Sequence, residues 1–141
     1  MDAFVNLADQ RPVAALHLAS ALAAIVIGAV LLWGRKGSTA HRWLGWSWVV
    51  MMATATVSSA FMLNHRAPNL LGFTPIHLLT ALVAVQLPLG VLAARRGRVT
   101  EHRQRMKGLY LGACVIAGVF TLLPGRFLGT LLWRDLLGVM A

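Results

Sequence analysis

The sequence predicts an all-α integral membrane protein: a four-helix up-down bundle built from two repeated helical hairpins, followed by a short C-terminal interfacial helix. Three observations carry this prediction. The 141 residues are 58% hydrophobic and only 12% charged, with a mean hydropathy of +0.71, whereas soluble domains devote about a quarter of their residues to charge. The charges leave four long gaps. The basic residues also cluster on alternate sides of those gaps. Disorder is excluded, since disordered chains are poor in apolar residues. A disulfide scaffold is excluded as well, because Cys114 has no second cysteine to pair with.

The first gap, Val13–Trp33, runs 21 residues without a charge. A helix of about 20 apolar residues crosses a bilayer core of about 30 Å. The stretch is too long for a signal-peptide core, and Asp2 and Asp9 stand where a basic leader would be. The second gap, Trp43–Asn64, has 22 residues; its Thr54, Thr56, Ser58 and Ser59 can bond carbonyls one turn back, a structural role. The third, Ala67–Ala94, has 28, with Pro68 and Pro75 marking a loop before the helix proper. The fourth, Gly108–Gly125, has 18 and is broken by Pro124-Gly125. Cys114 and Met51, Met52, Met62 and Met106 read as apolar filler. In the tail, Phe127, Leu128, Leu131, Leu132 and Trp133 form an apolar side with Arg134 and Asp135 facing water, as in interfacial helices. The whole chain, 1–141, is read as one transmembrane domain. Repeat 1 spans about 13–64, repeat 2 about 74–125, and the tail 126–141.

Four spans place both termini and the loop around Arg66 on one side, A. The loops 34–42 and 95–107 fall on the other, B. Side B carries nine cations against Glu101, a net charge of +8, while side A carries four against three, a net of +1. The positive-inside rule then makes side B cytoplasmic and puts both termini outside, in a bacterial inner membrane. The basic residues orient the chain and meet anionic head groups. Nucleic acid is not the expected partner; the lipid bilayer is.

The repeat is visible at an offset of 60. His17–Ala24 matches His77–Ala84 at five of eight positions, and Arg35 and Gly37 match Arg95 and Gly97. With one inserted residue, His41-Arg42 matches His102-Arg103. A parallel repeat of two hairpins implies pseudo-two-fold symmetry about the membrane normal.

The histidines are the candidate site. His17 and His77 sit about one turn inside their helices on side A, on helices that lie diagonally across an up-down bundle. His41 and His102 begin the second and fourth helices on side B. About 24 Å separates His17 from the far end of its helix at 1.5 Å per residue, so the two pairs cannot share one ligand. Ionisable groups in membranes are costly and usually functional, and neutral imidazole is both a metal ligand and a haem axial ligand. Small residues one, two and three turns on (Ala21, Ala24 and Gly28; Ala81, Ala84 and then Pro88) leave room for a flat macrocycle. They equally suit close helix packing with hydrogen-bonded histidines. His65, beside Arg66, reads as a loop residue. No Asp or Glu lies in any span, which removes carboxylate proton relays and cation sites. No HExxH, CxxC, P-loop or GxGxxG pattern is present.

His102-Arg-Gln-Arg-Met-Lys-Gly-Leu-Tyr110, with Leu122-Leu-Pro-Gly-Arg126, resembles a family of small bacterial membrane proteins, domain of unknown function 2306. The half from His77 to Arg126 carries the closer likeness. The paired-histidine arrangement is similar to di-haem transmembrane b-type cytochromes that move electrons from ascorbate or quinol. That resemblance implies two haem b groups, held by His17/His77 and His41/His102. It also implies an electron carrier, a quinol- or ascorbate-linked oxidoreductase, with quinone or a redox protein as partner. Arg103, Arg105 and Lys107 are then candidates for the quinol head, and otherwise topology signals. Two alternatives stand beside it: a non-redox membrane subunit or small transporter with structural histidines, and a copper or zinc protein using His17, His65 and His77.

Overall fold

The computed structural model describes residues 12–61 and 75–122, with side chains in the second stretch described from Leu78 onward. His65, the side chain of His77 and the tail 126–141 therefore lie outside the described residues. Every regular element described is helical. Helix α1 is Pro12–Trp33, α2 is Thr39–Ala60 and α3 is Pro75–Arg95. A fourth rod begins as α4, Val99–Leu109, continues as a π-helical segment, Tyr110–Ile116, and ends as α5, Ala117–Thr121. Its junction residues Leu109, Tyr110, Ile116 and Ala117 all keep right-handed helical dihedrals, so the rod is unbroken.

Local chemistry explains the boundaries. Proline at the first position of α1 and of α3 loses no helical hydrogen bond there. Ser38 caps α2, its hydroxyl accepting from the His41 N–H at 3.1 Å. Gly37 and Gly97, sixty residues apart, both take left-handed φ, +78° and +73°. Only glycine adopts this without strain, and both residues end the turn that follows a rod. Pro88 lies inside α3, removing one bond to a carbonyl that a membrane helix tolerates when neighbours compensate.

Helix α1 packs along α2, and α3 along α4. Helix α2 also meets α3, and α1 meets the π-helical segment. The core draws on all four rods: Ala24, Trp48, Met52, Val83, Leu87 and Tyr110 among others. Around it the surface is apolar. Val26, Val57, Leu78 and Val119 are all more than half exposed, which an aqueous monomer seldom permits over so wide an area. Helix α1 and the Leu78–Arg95 part of α3 are long and apolar enough to cross a membrane, and only 22% of each window is buried inside the protein. A soluble core helix would be mostly buried, so the missing cover is lipid. Helix α2 has the same length as α1, but His41, Arg42 and its hydroxyl residues dilute its hydropathy.

Two hydrogen bonds fasten the centre. The buried Trp48 Nε1–H donates to the Ala24 carbonyl at 2.9 Å, and the Tyr110 hydroxyl donates to Ile25 at 3.3 Å. Both rings crowd Gly28: a Cβ there would lie 2.5 Å from the Tyr110 ring and 2.7 Å from Trp48 Nε1. Gly28→Val should therefore cost about 1–3 kcal/mol by overpacking. It should lower the melting temperature in detergent, whereas Gly45→Ala, with nothing within 4 Å of its Cβ, should melt like the parent.

Candidate functional site

His17 enters from the second turn of α1 and reaches α2. Its Nδ1 lies 2.9 Å from the Ala55 carbonyl and 3.2 Å from Ser58 Oγ. A carbonyl has no proton to give, so Nδ1 is the protonated nitrogen and Nε2 holds a bare lone pair. Ser58 is held in turn, donating to the Thr54 carbonyl at 2.7 Å. Thr56 and Ser59 likewise bond carbonyls within their own helix, and Ser59 also meets the Thr80 hydroxyl at 3.0 Å. The hydroxyl cluster of α2 is structural, as its spacing predicts.

His102 repeats the pattern at the other end. Its Nδ1 donates to the Gly90 carbonyl on α3 at 2.9 Å. Gly90 lets the rods approach there, since a Cβ on it would collide with Met106. Neither histidine has a second hydrogen-bond partner at Nε2 among the described residues. No buried side-chain nitrogen or oxygen lacks a partner among those residues, so neither Nε2 is both buried and unpaired there. An imidazole with its Nδ1–H tethered to a carbonyl and Nε2 bare is the form in which histidine ligates metals.

His41, in the first turn of α2, has no ring hydrogen bond among the described residues. It precedes the charge-free span that opens at Trp43. Its pKa lies below the ordinary value, first through burial and then through the charges of His102 and Lys36. No hydrogen bond joins the His41 and His102 rings among the described residues. For the side A pair, His17 is placed, while the side chain of His77 lies outside the described residues. Among the described residues no three of His, Cys, Asp or Glu gather around a common point. The three-histidine set of His17, His65 and His77 relies on residues outside the described ones.

The stripe of small residues beside His17 has a different occupant from a cofactor over part of its length. Ala24 is fully buried, and Gly28 is covered by Trp48 and Tyr110. Only the Ala21 level next to His17 is left for a flat ligand. The donor chemistry of His17, His41 and His102 fits a haem iron, and the lower stripe does not. Sequence reasoning missed this filling, because a stripe of small residues looks the same whatever covers it.

Of the side B cations, Arg103 and Lys107 are exposed, and Arg105 is engaged. Its guanidinium pairs with Glu101 at 2.9 Å and donates to the Gln86 side-chain oxygen on α3; Glu101 also pairs with Arg98 at 2.9 Å. Gln86 was not singled out from the sequence. A lone amide in an apolar helix beside a basic neighbouring helix was the available signal.

The family model described as a predicted membrane protein (DUF2306) matches residues 14–133, and the chain belongs to that family. No curated protein and no solved structure matches it.

The depressed pKa of His41 gives a sign for acid stability. With the folded pKa below the unfolded value of 6.5, the unfolded chain takes up the proton first, so stability is lost as pH falls below about 6.5. The melting temperature in detergent should drop between pH 7.5 and pH 5.5. His41→Gln should shrink that drop, and an undiminished drop would assign the acid sensitivity elsewhere.

Proposed function

We propose that this member of the DUF2306 membrane protein family is a b-type cytochrome-like electron carrier. Its four rods form an up-down bundle of two related hairpins in a bacterial inner membrane. The observation that carries the reading is the shared state of His17 and His102: Nδ1 tethered to a carbonyl of the neighbouring helix, with no partner at Nε2 among the described residues. The matching left-handed Gly37 and Gly97 support the repeat.

In this reading His41 and His102 hold one haem and His17 and His77 the other. Haem supplies reversible one-electron transfer when bound, with a potential set by axial ligands, burial and hydrogen bonding. The protein's own contribution is to fix the tautomer and aim of each imidazole through the Ala55 and Gly90 carbonyls, and to keep water away with an apolar wall. Quinol, or a redox protein, is the proposed partner. The basic loops 34–42 and 95–107 face the cytoplasm, and both termini face outward.

A visible spectrum of protein expressed with ample haem is the test. Oxidised and reduced Soret and α bands should appear, with two haems per chain. His102→Ala and His41→Ala should each remove the same haem and His17→Ala the other, so losses add across pairs and do not add within one. Each variant should also melt earlier, because a ligand bound only by the folded state stabilises it. A colourless protein would leave the histidines as fasteners between helices in a non-redox subunit, and metal analysis would then test copper and zinc. Orientation has its own check: a reporter fused after Ala141 should be active only outside the cytoplasm.

A further inference from the structure

A groove of about 370 Å³ runs along the seam of α3 and the fourth rod, within the ~300–1,000 Å³ typical of ligand clefts. Its depth in the membrane follows from α3. Gln86, which lines one end, lies eight residues after Leu78 and nine before Arg95, the limits of the apolar span. At 1.5 Å per residue that is about 12–14 Å from either limit, the middle of the bilayer. From there Val83 and Leu79 lead toward the side A start of α3, faced by Gly108, Gly112 and Ala113 of the rod. The polar end of the groove is central, and its apolar end runs toward side A.

The central end is rich in donors. Arg105 pairs with Glu101 at 2.9 Å and donates to the Gln86 side-chain oxygen. That bond occupies the oxygen of Gln86 and leaves its two amide N–H donors without a partner among the described residues. The charge of Arg105 is already matched by Glu101. Arg98, the second partner of Glu101, is 51% exposed and does not line the groove. In hydrocarbon an unmet donor has no water to turn to, so this end suits an occupant that accepts hydrogen bonds without bringing charge. Gln104, Gly108 and Gly112 follow at four-residue steps along the rod, and a Cβ on either glycine would meet nothing within 4 Å. A flat ring can lie against that bare backbone. Gly108 is exposed and Leu82 is 52% exposed, so the groove is entered from the bilayer.

We propose that the groove binds one isoprenoid quinone, a ring carbonyl accepting from Gln86 and Arg105 and the tail running past Gly112 and Leu79 toward side A. A quinone is neutral, flat and soluble in the middle of the bilayer, and its carbonyls accept without donating. A phospholipid head stays at the interface, about a dozen ångströms away. The choice of a quinone over another neutral carbonyl compound rests on the electron-carrier reading. Of the three cations that could meet a quinol head, Arg105 lines the groove, whereas Arg103 and Lys107 are exposed and do not.

The full chain in detergent is equilibrated with decylubiquinone and passed through a gel-filtration column. The quinone carried with it is extracted and measured by ultraviolet absorbance, with empty micelles as the blank and undecylbenzene as a ring without carbonyls. The parent should carry about one decylubiquinone per chain and little undecylbenzene. Gln86→Leu should weaken decylubiquinone binding about tenfold, the scale of one hydrogen bond lost in a dry site, and leave undecylbenzene unaffected. Arg103→Gln and Lys107→Gln should bind like the parent. Gly108→Leu fills the floor and should abolish binding, with helicity by circular dichroism checked against the parent; Gly112→Leu serves if Gly108→Leu does not fold. Equal retention of the two compounds by the parent would overturn the site, and so would undiminished quinone in Gln86→Leu or in the floor variants. A parent dimer that Gly108→Leu dissociates would give the groove to a second copy and overturn it too. Haem is read separately. Haem bands without retained quinone overturn the groove and leave the electron carrier, whereas quinone held by a colourless protein removes the carrier and leaves the groove.

Discussion

The close approach of Trp48 and Tyr110 to α1 at Ala24 and Gly28 is the constraint on which the remaining packing rests. In lipid no hydrophobic force draws helix to helix, so association depends on van der Waals fit and interhelical hydrogen bonds. Gly28 supplies the fit by having no side chain where two aromatic rings converge. The carbonyls of Ala24 and Ile25 supply the bonds. Because Trp48 comes from α2 and Tyr110 from the fourth rod, α1 is joined to both at one level. Met52 and Cys114, their sulfurs 3.5 Å apart, extend the same contact further along α2.

The histidines use the same economy at the two ends. Each tether from Nδ1 to a carbonyl is a helix-to-helix bond, His17 joining α1 to α2 and His102 joining the fourth rod to α3. One nitrogen is used for structure while the other is kept bare. A hydroxyl side chain could have donated the same bond without leaving a second nitrogen to be accommodated in a membrane setting. That surplus is what turns a packing residue into a candidate ligand.

Much of this was legible in the sequence. The charge-free windows located the first three rods within a few residues, but the fourth rod begins at Val99, nine residues before its window, because its first turns carry Glu101, Arg103, Arg105 and Lys107. Gly37 and Gly97 read only as matching positions of the repeat, and the structure adds that both take left-handed backbone and that Ser38 caps α2. The α2 hydroxyls and the buried Cys114 behaved as composition implies. The π-helical segment was not legible. Nothing in Tyr110–Ile116 departs from an ordinary apolar helix, and burying Tyr110 and Cys114 on one face would not itself require the widened turn. The Arg105–Gln86 link was equally hidden, since it joins positions 19 apart whose facing depends on the register between two rods. The occupant of the Ala24–Gly28 stripe could not be read from α1 alone, because the rings that fill it come from elsewhere in the chain.

The two hairpins also divide their labour, and the difference can be followed residue by residue. At the offset of 61 that aligns His41 with His102, Ser47, Trp48 and Met51 stand against Gly108, Leu109 and Gly112. In the first hairpin the large side chains Trp48 and Met51 occupy the seam or pack against the core. In the second, Leu109 stands for Trp48 and Gly108 and Gly112 stand for Ser47 and Met51, and a groove of about 370 Å³ lies along the seam of α3 and the fourth rod. Reciprocally, Gly28 in α1 stands where α3 has Pro88, so the deep aromatic contact that α1 accepts has no counterpart on α3.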